Sequence, residues 1–293
     1  MKSVLGDRKA IAILLGPALL IYTLVMLVPV VWSFVYTFFT GDPLSGFTFV
    51  GGKNFAHMFS DPQIWSAFLF TAKYALLMTV LQVGLGYGLA LVYNFILKKS
   101  SSIIRTLVFF PVVLPTVAVA ILFQKLFQSA PSDGVVNNLL TEIGLGRVDW
   151  LGTGTTAFVV IIVMDVWRSM GFYGVLIFSG LLDIPEEILE SARIDGARRW
   201  KLFRHIILPL SMPIVTASII FSINGTIKVF DSVYALTLGG PGTSTTPLTL
   251  YMYAEAFQYS DYGYGSTIAL LLTVLCLIVT LFIFRSSRRD ITV

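Results

Sequence analysis

Two charged residues, Asp165 and Arg168, interrupt an apolar run between residues 157 and 182. Charged side chains are costly inside a bilayer, and those that occur there usually mark a solute or ion pathway. Because these two lie three residues apart, they could equally neutralise each other on one helix face. A second set of polar residues follows in and after the apolar run 205–227, where interhelical hydrogen bonding is the competing explanation. The members of that set are Ser218, Ser222, Asn224, Thr226, Lys228 and Asp231.

Residue types that usually carry catalysis or bind metals are scarce. Cys276 is the single cysteine, which excludes a disulfide framework and a cysteine-based zinc site. His57 and His205 are too far apart in sequence to show metal-ligand spacing. The chain has no Gly-x-x-x-x-Gly-Lys-Ser/Thr run, so it has no recognisable nucleotide site. The sequence therefore predicts a protein that is not an enzyme and that binds no cofactor or metal of its own.

The elements that position these residues are predicted from composition. The chain has 293 residues, of which 56% are hydrophobic and 12% are charged, about half the charged fraction of a soluble domain. A helix needs about 20 apolar residues to cross a bilayer. Six runs meet this need, and they predict an all-α membrane protein that forms one transmembrane domain over residues 1–293. They are Ala10–Gly41, Tyr74–Leu97, Thr106–Gln124, Ala157–Leu182, His205–Ile227 and Tyr262–Phe284.

Two other patterns refine this topology. Residues 232–254 are also free of charge, but the glycines, prolines and threonines of 239–247 would leave backbone groups unsatisfied in lipid, so no span is predicted there. Gly84 and Gly88, with Gly86 between them, predict a small-residue face for close helix packing in the second span. Pro29 predicts a kink in the first span.

Basic residues predict the orientation of the chain. Fourteen lysines and arginines fall on one side of the six spans and three on the other, so the positive-inside rule places both termini in the cytoplasm. This pattern explains the basic character of the chain as a membrane face rather than a nucleic-acid surface. The fourteen are Lys2, Arg8, Lys9, Lys98, Lys99, Arg105, Arg193, Arg198, Arg199, Lys201, Arg204, Arg285, Arg288 and Arg289, and the three are Lys53, Lys125 and Arg147.

The predicted cytoplasmic segment 183–209 contains two short amphipathic helices that meet at Gly196. Asp183 is the expected N-cap of the first helix, Pro185 suits its first turn, and Glu186 and Glu187 would complement the positive end of its dipole. The expected apolar face of this helix consists of Ile184, Ile188, Ala192 and Leu189. In the second helix, the expected apolar face consists of Trp200, Phe203 and Ile207. Such an elbow could lie on anionic lipid headgroups, which composition alone favours, or it could insert into a groove of a partner protein.

These residues also carry a family resemblance. The run Glu190-Ser191-Ala192, the run Asp195-Gly196-Ala197, Phe203 and Leu208-Pro209 resemble the EAA loop of binding-protein-dependent ABC importer permeases, except that Ser191 stands where the family usually has alanine. Motifs over nearly the whole chain are similar to those of the carbohydrate-uptake, maltose-type permeases. They are Phe109-Phe110-Pro111, Asn137, Trp150-Leu151-Gly152, Val166-Trp167, Val229-Phe230-Asp231, Gly239-Gly240-Pro241, Thr245, 251–257, Gly263 and Tyr264.

The resemblance implies a type I importer permease fold in a bacterial or archaeal inner membrane, and import of a sugar or oligosaccharide driven by partner subunits. The expected partners are a second homologous permease, an ABC ATPase dimer that binds ATP and Mg, and an extracytoplasmic sugar-binding protein. The residues implied to couple to the ATPase are Glu190, Ser191, Ala192, Asp195, Gly196, Ala197, Phe203 and Pro209. The residues expected along the sugar pathway are Asp165, Arg168, Phe172, Tyr173, Asn224, Thr226 and Lys228.

Alternatives of other classes remain open at this point. A secondary transporter or channel that works alone would usually show paired repeats with broken helices, and no such repeat is found. Within the ABC class, a permease for phosphate-bearing polyols or another solute is possible, because the motifs do not name the solute.

Overall fold

Apolar helices long enough to cross a membrane dominate the protein, which we describe from a computed structural model covering residues 8–97 and 101–287. Within these residues, five single helical stretches and one bent pair of helices are long and apolar enough to be spans. The termini and five of the basic residues used for orientation, namely Lys2, Lys98, Lys99, Arg288 and Arg289, lie outside the described residues. The cytoplasmic location of the termini therefore stays a prediction.

The helices follow the predicted runs, with shifted ends. In chain order they are α1 (Arg8–Tyr22), α2 (Val28–Tyr36), α3 (Lys53–Ser60), α4 (Pro62–Leu91), α5 (Ser101–Val113), α6 (Thr116–Leu126), α7 (Val135–Glu142), α8 (Gly154–Leu182), α9 (Glu186–Ile194), α10 (Trp200–Leu202), α11 (Leu208–Ile227), α12 (Asp231–Thr237), α13 (Leu248–Tyr253) and α14 (Tyr262–Ser287). Within residues 8–97 and 101–287, four π-helical segments extend or join them: Thr23–Leu27, Val92–Leu97, Phe203–Ile207 and Ala254–Gln258. Two strands, β1 (Phe39–Asp42) and β2 (Gly46–Phe49), form an antiparallel hairpin.

The third predicted span is not one continuous helix. The sequence predicted a single span over Thr106–Gln124, whereas α5 and α6 are bent by 94° at residues 114–115. Pro115 has extended backbone angles (φ −58°, ψ 129°) and precedes the first residue of α6. Proline lacks an N–H and disfavours a helical residue before it, so the helix breaks at Leu114 and restarts after Pro115.

One compact unit consists of residues 1–64 and 251–271. In this unit Asn54 donates hydrogen bonds to the carbonyl oxygens of Thr37 (3.0 Å) and Phe39 (2.7 Å), which fix α3 under the hairpin. Asp61 accepts hydrogen bonds from the hydroxyls of Tyr251 and Tyr264, both at 2.6 Å. Burial raises the pKa of the Asp61 carboxyl, but these bonds outweigh burial and hold the pKa below its usual value.

Membrane helices α1 and α2 are joined by the π-helical turn Thr23–Leu27, which lies just before the predicted kink residue Pro29. A proline ring clashes with the carbonyl group four residues earlier, and the wider π turn gives that group room. The helix ends at Tyr36 rather than continuing to residue 41, because the hairpin begins at Phe39.

The other unit consists of residues 65–250 and 272–293, and α8 is its central helix. Large side chains of α8 such as Ile161, Met164 and Ile177 are fully buried. Helix α8 packs closely on α5 at Gly171, where a Cβ atom would come within 2.9 Å of the Cα of Phe109. Such a contact between backbones requires glycine.

The glycine face predicted for α4 is wrong in its detail. A Cβ atom at Gly84 or Gly88 would meet no atom within 4 Å. At Gly86, in contrast, a Cβ atom would lie 2.6 Å from the Cβ of Tyr173 on α8. The close contact therefore involves the middle glycine, because packing is decided by which side of α4 faces α8.

Candidate functional site

A polar cavity of about 300 Å³ lies among α4, α8, α11 and α12 in the second unit. Six of the seven predicted pathway residues line it, and Asn224 does not. The lining residues that bear polar groups are Tyr74, Gln82, Thr116, Asp165, Arg168, Ser169, Tyr173, Ser222, Thr226, Lys228, Asp231 and Ser232. Phe172 and Phe230 add aromatic surface to the same cavity.

Asp165 and Arg168 form a loose pair at the cavity wall. The hydroxyl of Tyr74 donates to Oδ2 of Asp165 at 2.6 Å, and the Asp165 side chain is buried. The Nε atom of Arg168 lies 3.8 Å from Oδ1 of Asp165, which is beyond hydrogen-bond distance. Within the part of the chain that the structure describes, both of these buried atoms lack a hydrogen-bond partner. The pair therefore leaves one buried acceptor and one buried donor without a hydrogen bond.

A chain of side-chain hydrogen bonds crosses the cavity floor. Ser222 Oγ donates to Gln82 Oε1 at 2.7 Å, and Gln82 Nε2 donates to Ser169 Oγ at 2.8 Å. This network ties α11 to α4 and α4 to α8. None of Tyr74, Gln82 and Ser169 was predicted from the sequence. Gln82 carried a signal, because it is an amide within an apolar span and is costly there for the same reason as Asp165.

Asn224 points away from the cavity. Its amide nitrogen donates to Thr280 Oγ1 on α14 at 2.9 Å and to the carbonyl oxygen of Ile220 at 2.9 Å. It is therefore an interhelical link in this structure. Phe172 and Tyr173, in contrast, meet edge to face at 5.2 Å beside the cavity, with Phe172 38% exposed.

The predicted elbow is present, and Gly196 ends its first helix. Gly196 has φ +84°, a left-handed conformation that favours glycine. Its N–H donates to the carbonyl of Arg193 at 3.1 Å, and the N–H of Ala197 donates to the carbonyl of Ala192 at 2.8 Å. These two bonds form a Schellman cap, which satisfies carbonyl groups left free at the end of α9. The cap at the end of α9 therefore explains why glycine stands in the Asp195-Gly196-Ala197 run.

The start of the elbow differs from the prediction. Asp183 was expected to cap α9, but it follows the last residue of α8, and α9 begins at Glu186 after Pro185. Pro185 has extended backbone angles and disfavours a helical conformation at the residue before it. The acidic first turn, Glu186 and Glu187, is as predicted.

The buried faces of the elbow also differ in part. Leu189 and Ala192 of α9 are buried, whereas Ile188 is exposed. In the second part, Leu202 and Ile207 are buried, whereas Trp200 is 66% exposed. Arg199 has φ +44°, so the chain turns before α10 and changes which residues face inward.

The elbow contacts the membrane helices through a cluster of aromatic and aliphatic side chains. The ring of Phe203 meets the ring of Tyr87 edge to face at 5.8 Å, and the Tyr87 hydroxyl lies 2.7 Å from Ser211 Oγ. Ala197 packs on the same hydrophobic cluster. The residues predicted to couple to the ATPase therefore divide into two groups. Ala192, Ala197 and Phe203 face the membrane helices, while Glu190, Ser191, Asp195, Gly196 and Pro209 are exposed.

A polytopic membrane protein with a polar cavity between helices and an exposed helical elbow has the design of a transport subunit. The chain belongs to the family described as binding-protein-dependent transport system inner membrane component, whose model matches residues 82–290. It is therefore a multi-pass inner-membrane transport component rather than an enzyme.

Curated relatives cover almost the whole chain. The sulfoquinovosyl glycerol transport system permease protein SmoG of Agrobacterium fabrum is 32% identical over 286 residues, which is 97% of this chain and 92% of the relative. The trehalose/maltose transport system permease protein MalF of Thermococcus litoralis is 34% identical over 240 residues, which is 82% of this chain and 80% of the relative.

Solved structures show the same fold. A subunit of a bacterial ABC transporter involved in the import of the acidic polysaccharide alginate matches with a TM-score of 0.86 and 26% identity, over 100% of this chain and 99% of that one. A second structure of an alginate ABC transporter, which includes an alginate pentasaccharide-bound periplasmic protein, matches with a TM-score of 0.86 and 25% identity, over 99% of this chain and 98% of that one. The predicted importer permease fold is therefore confirmed.

Proposed function

We propose that this chain is the permease subunit of an ABC importer that moves a sugar or oligosaccharide into the cytoplasm, and that the polar cavity is part of the sugar path. The observation that carries the proposal is the presence of Asp165 and Arg168 in the wall of that cavity, where Oδ1 of Asp165 and Nε of Arg168 lie 3.8 Å apart without a hydrogen bond. A sugar hydroxyl both donates and accepts hydrogen bonds. If the two side chains moved to admit a sugar hydroxyl, that hydroxyl could donate to Asp165 Oδ1 and accept from Arg168 Nε.

Other features of the cavity support a saccharide. Thr226, Ser169 and Ser222 add hydroxyl groups, and Phe172 offers an aromatic surface to the apolar face of a sugar ring. The formal charges of the lining balance, because Arg168 and Lys228 are matched by Asp165 and Asp231. The lining therefore does not select for an acidic sugar. The names of the relatives point to carbohydrates and their glycosides as the solute class.

The proposed partners are those of the importer class. A second homologous permease would complete the path, an ABC ATPase dimer would bind ATP and Mg, and an extracytoplasmic binding protein would deliver the sugar. The first span supports the need for a partner or lipid, because none of the most apolar window of Ile11–Tyr36 is buried. The alginate transporter structure contains a periplasmic protein with a bound alginate pentasaccharide, which supports the proposed binding protein.

We assign the elbow to the cytoplasmic side as the ATPase-coupling element. Glu190, Ser191 and Asp195 are exposed there and can contact a partner groove, whereas Ala192 and Phe203 transmit movement to α4 and α8. Glu190 would make a charge-assisted contact with the ATPase. Labelling of a Glu190→Cys variant, in a Cys276→Ala background and in cells that lack the ATPase subunits, by a membrane-impermeant thiol reagent tests the side. Labelling in inside-out vesicles but not in intact cells is expected, and the reverse would contradict the assignment.

The function is tested by transport in the reconstituted complex. A panel of labelled saccharides, each with the binding protein, is offered to proteoliposomes that contain both permeases and the ATPase. We expect one saccharide to stimulate ATP hydrolysis and to accumulate. Removing a hydrogen bond to a charged group costs about 1.5–3 kcal/mol, so Arg168→Gln should lower uptake about 10- to 100-fold at subsaturating sugar. Asn224→Ala is the matched control, because that side chain lies outside the cavity.

Two results would contradict the proposal. If Arg168→Gln and Asp165→Asn both retained wild-type uptake while Asn224→Ala did not, the cavity would not be the path. If no saccharide stimulated ATP hydrolysis but an amino acid or phosphorylated polyol did, the solute class would be wrong.

A further inference from the structure

The short helix α7 is held directly at the end of the bent span. The residue before it, Gly134, packs against the last turn of α6, and a Cβ atom there would lie 2.5 Å from the carbonyl oxygen of Leu126 and 2.9 Å from the nitrogen of Gln128. Its N–H donates to the carbonyl of Gln128 at 2.8 Å. Because only glycine fits this contact, α7 starts at the level where α6 ends.

One face of α7 is fixed by a buried asparagine. Asn137 is fully buried, and its Oδ1 accepts hydrogen bonds from the backbone N–H of Val148 and from the indole N–H of Trp150, both at 3.1 Å. Its amide nitrogen donates to the carbonyl of Val148 at 3.0 Å. Because these hydrogen bonds fix one face of α7, the orientation of its other faces is fixed as well.

The exposed surface of α7 is itself divided into an apolar and a polar sector. Val135, Leu139 and Ile143 are 54%, 56% and 71% exposed, and their spacing of four residues places them on one side. The polar sector beside it consists of Asn138, Thr141 and Glu142, which are also exposed. A helix surrounded by water needs no apolar sector, so this division matches a helix at a boundary between water and an apolar phase.

We propose that α7 lies in the headgroup region of the bilayer, with the apolar sector (Val135, Leu139, Ile143) against the acyl chains and the polar sector towards water. The bilayer is favoured as the occupant because α7 is attached at the end of α6, and α5 with α6 is apolar enough to cross a membrane as a bent pair. Helix α6, on which α7 is seated, carries Val117 and Ile121 at 55% and 50% exposure. Apolar groups at the end of a span are in reach of lipid without any further partner.

A spin label measures this directly in the whole complex. The permease is labelled at a Leu139→Cys site in a Cys276→Ala background, assembled with its partner subunits and placed in nanodiscs of phosphatidylethanolamine and phosphatidylglycerol. Collision rates with oxygen, which concentrates in lipid, and with the water-soluble nickel complex NiEDDA are then compared. Thr141→Cys on the polar sector of the same helix is the matched control.

We expect the ratio of oxygen to nickel collisions to be at least about threefold higher at position 139 than at position 141, because only the first would lie among acyl chains. Equal ratios at the two positions, with nickel reaching both, would overturn the proposal in favour of a solvated helix. Protection of position 139 from both reagents would also overturn it, since a protein surface would then cover the apolar sector. Repeating the measurement with the binding protein added shows whether that protein is the cover.

Discussion

Gly196 permits a test that separates two reasons for a glycine in the elbow. One reason is backbone conformation, since φ is +84° and the Schellman cap depends on it. The other is close approach of the ATPase, which any side chain would block. A Cβ atom at this position would meet no atom of the chain within 4 Å, so a substitution acts through the backbone or through the partner, and not through packing within the permease.

The two reasons predict different orders of activity. A non-glycine residue in the left-handed region costs about 1–2 kcal/mol, and asparagine costs less than alanine because its side chain bonds locally. If only conformation matters, Gly196→Asn should lose little activity and Gly196→Val should lose the most. Gly196→Ala should shift the equilibrium away from the capped conformation about five- to thirtyfold. By close approach alone, Gly196→Ala should be the mildest and the larger asparagine worse.

The assay is sugar-dependent ATP hydrolysis by the reconstituted complex, with recovery of the ATPase subunits on the purified permease as a second readout. We expect the order glycine, asparagine, alanine, valine in both measurements. An order in which alanine exceeds asparagine would refute the conformational argument and assign the glycine to contact with the partner. Equal activity of all four would show that the cap has no part in coupling.

Three further predictions concern packing, polar burial and pH. Gly86→Ala should lower the melting temperature of the purified complex, since overpacking costs about 1–3 kcal/mol, while Gly84→Ala, whose Cβ would meet nothing within 4 Å, should not. Asn137→Ala should make the segment between α6 and α8 sensitive to limited proteolysis, because lost bonds to buried donors cost about 1–3 kcal/mol each, and the exposed Asn138→Ala should leave it resistant. Burial raises the pKa of Glu255 in the folded protein above its unfolded value of about 4.3. The protonated side chain therefore favours the folded state at a pH below the unfolded pKa, and this stabilisation is lost as the pH rises through the pKa of the folded state. Glu255→Gln should therefore raise the melting temperature at pH 7 but not at pH 4, and equal shifts at both pH values would contradict the argument.

Hydropathy located the spans because the bilayer imposes a length and a polarity on each of them. It could not show the break at Pro115, since an apolar composition is the same in a straight and a bent helix. The proline itself was visible in the sequence. A rule that treats the residue before a proline as a helix boundary would have marked Leu114, but it would also have marked Phe110, which precedes Pro111 inside α5 and is helical.

The cavity could be predicted in part. Asp165 and Arg168 were found from their cost in lipid, and the structure places them at the cavity wall. Asn224 was chosen by the same reasoning, but it lies two residues from Ser222, which is about 200° around a helix at 100° per residue. Its side chain therefore faces α14 while Ser222 faces the cavity. Packing against other helices decides which side of α11 faces the cavity. A single sequence does not contain this information about the rotation of the helix.

The bend between α5 and α6 affects how the cavity can respond to mutation. Thr116, the first residue of α6, borders the cavity. The leading amide groups of a helix have no partner within the helix, and they carry a partial positive charge. A solute oxygen near Thr116 would thus find donors that belong to the main chain. Side-chain substitutions leave such main-chain donors in place. A permease in which both Arg168 and Asp165 are substituted would therefore still bind its solute weakly.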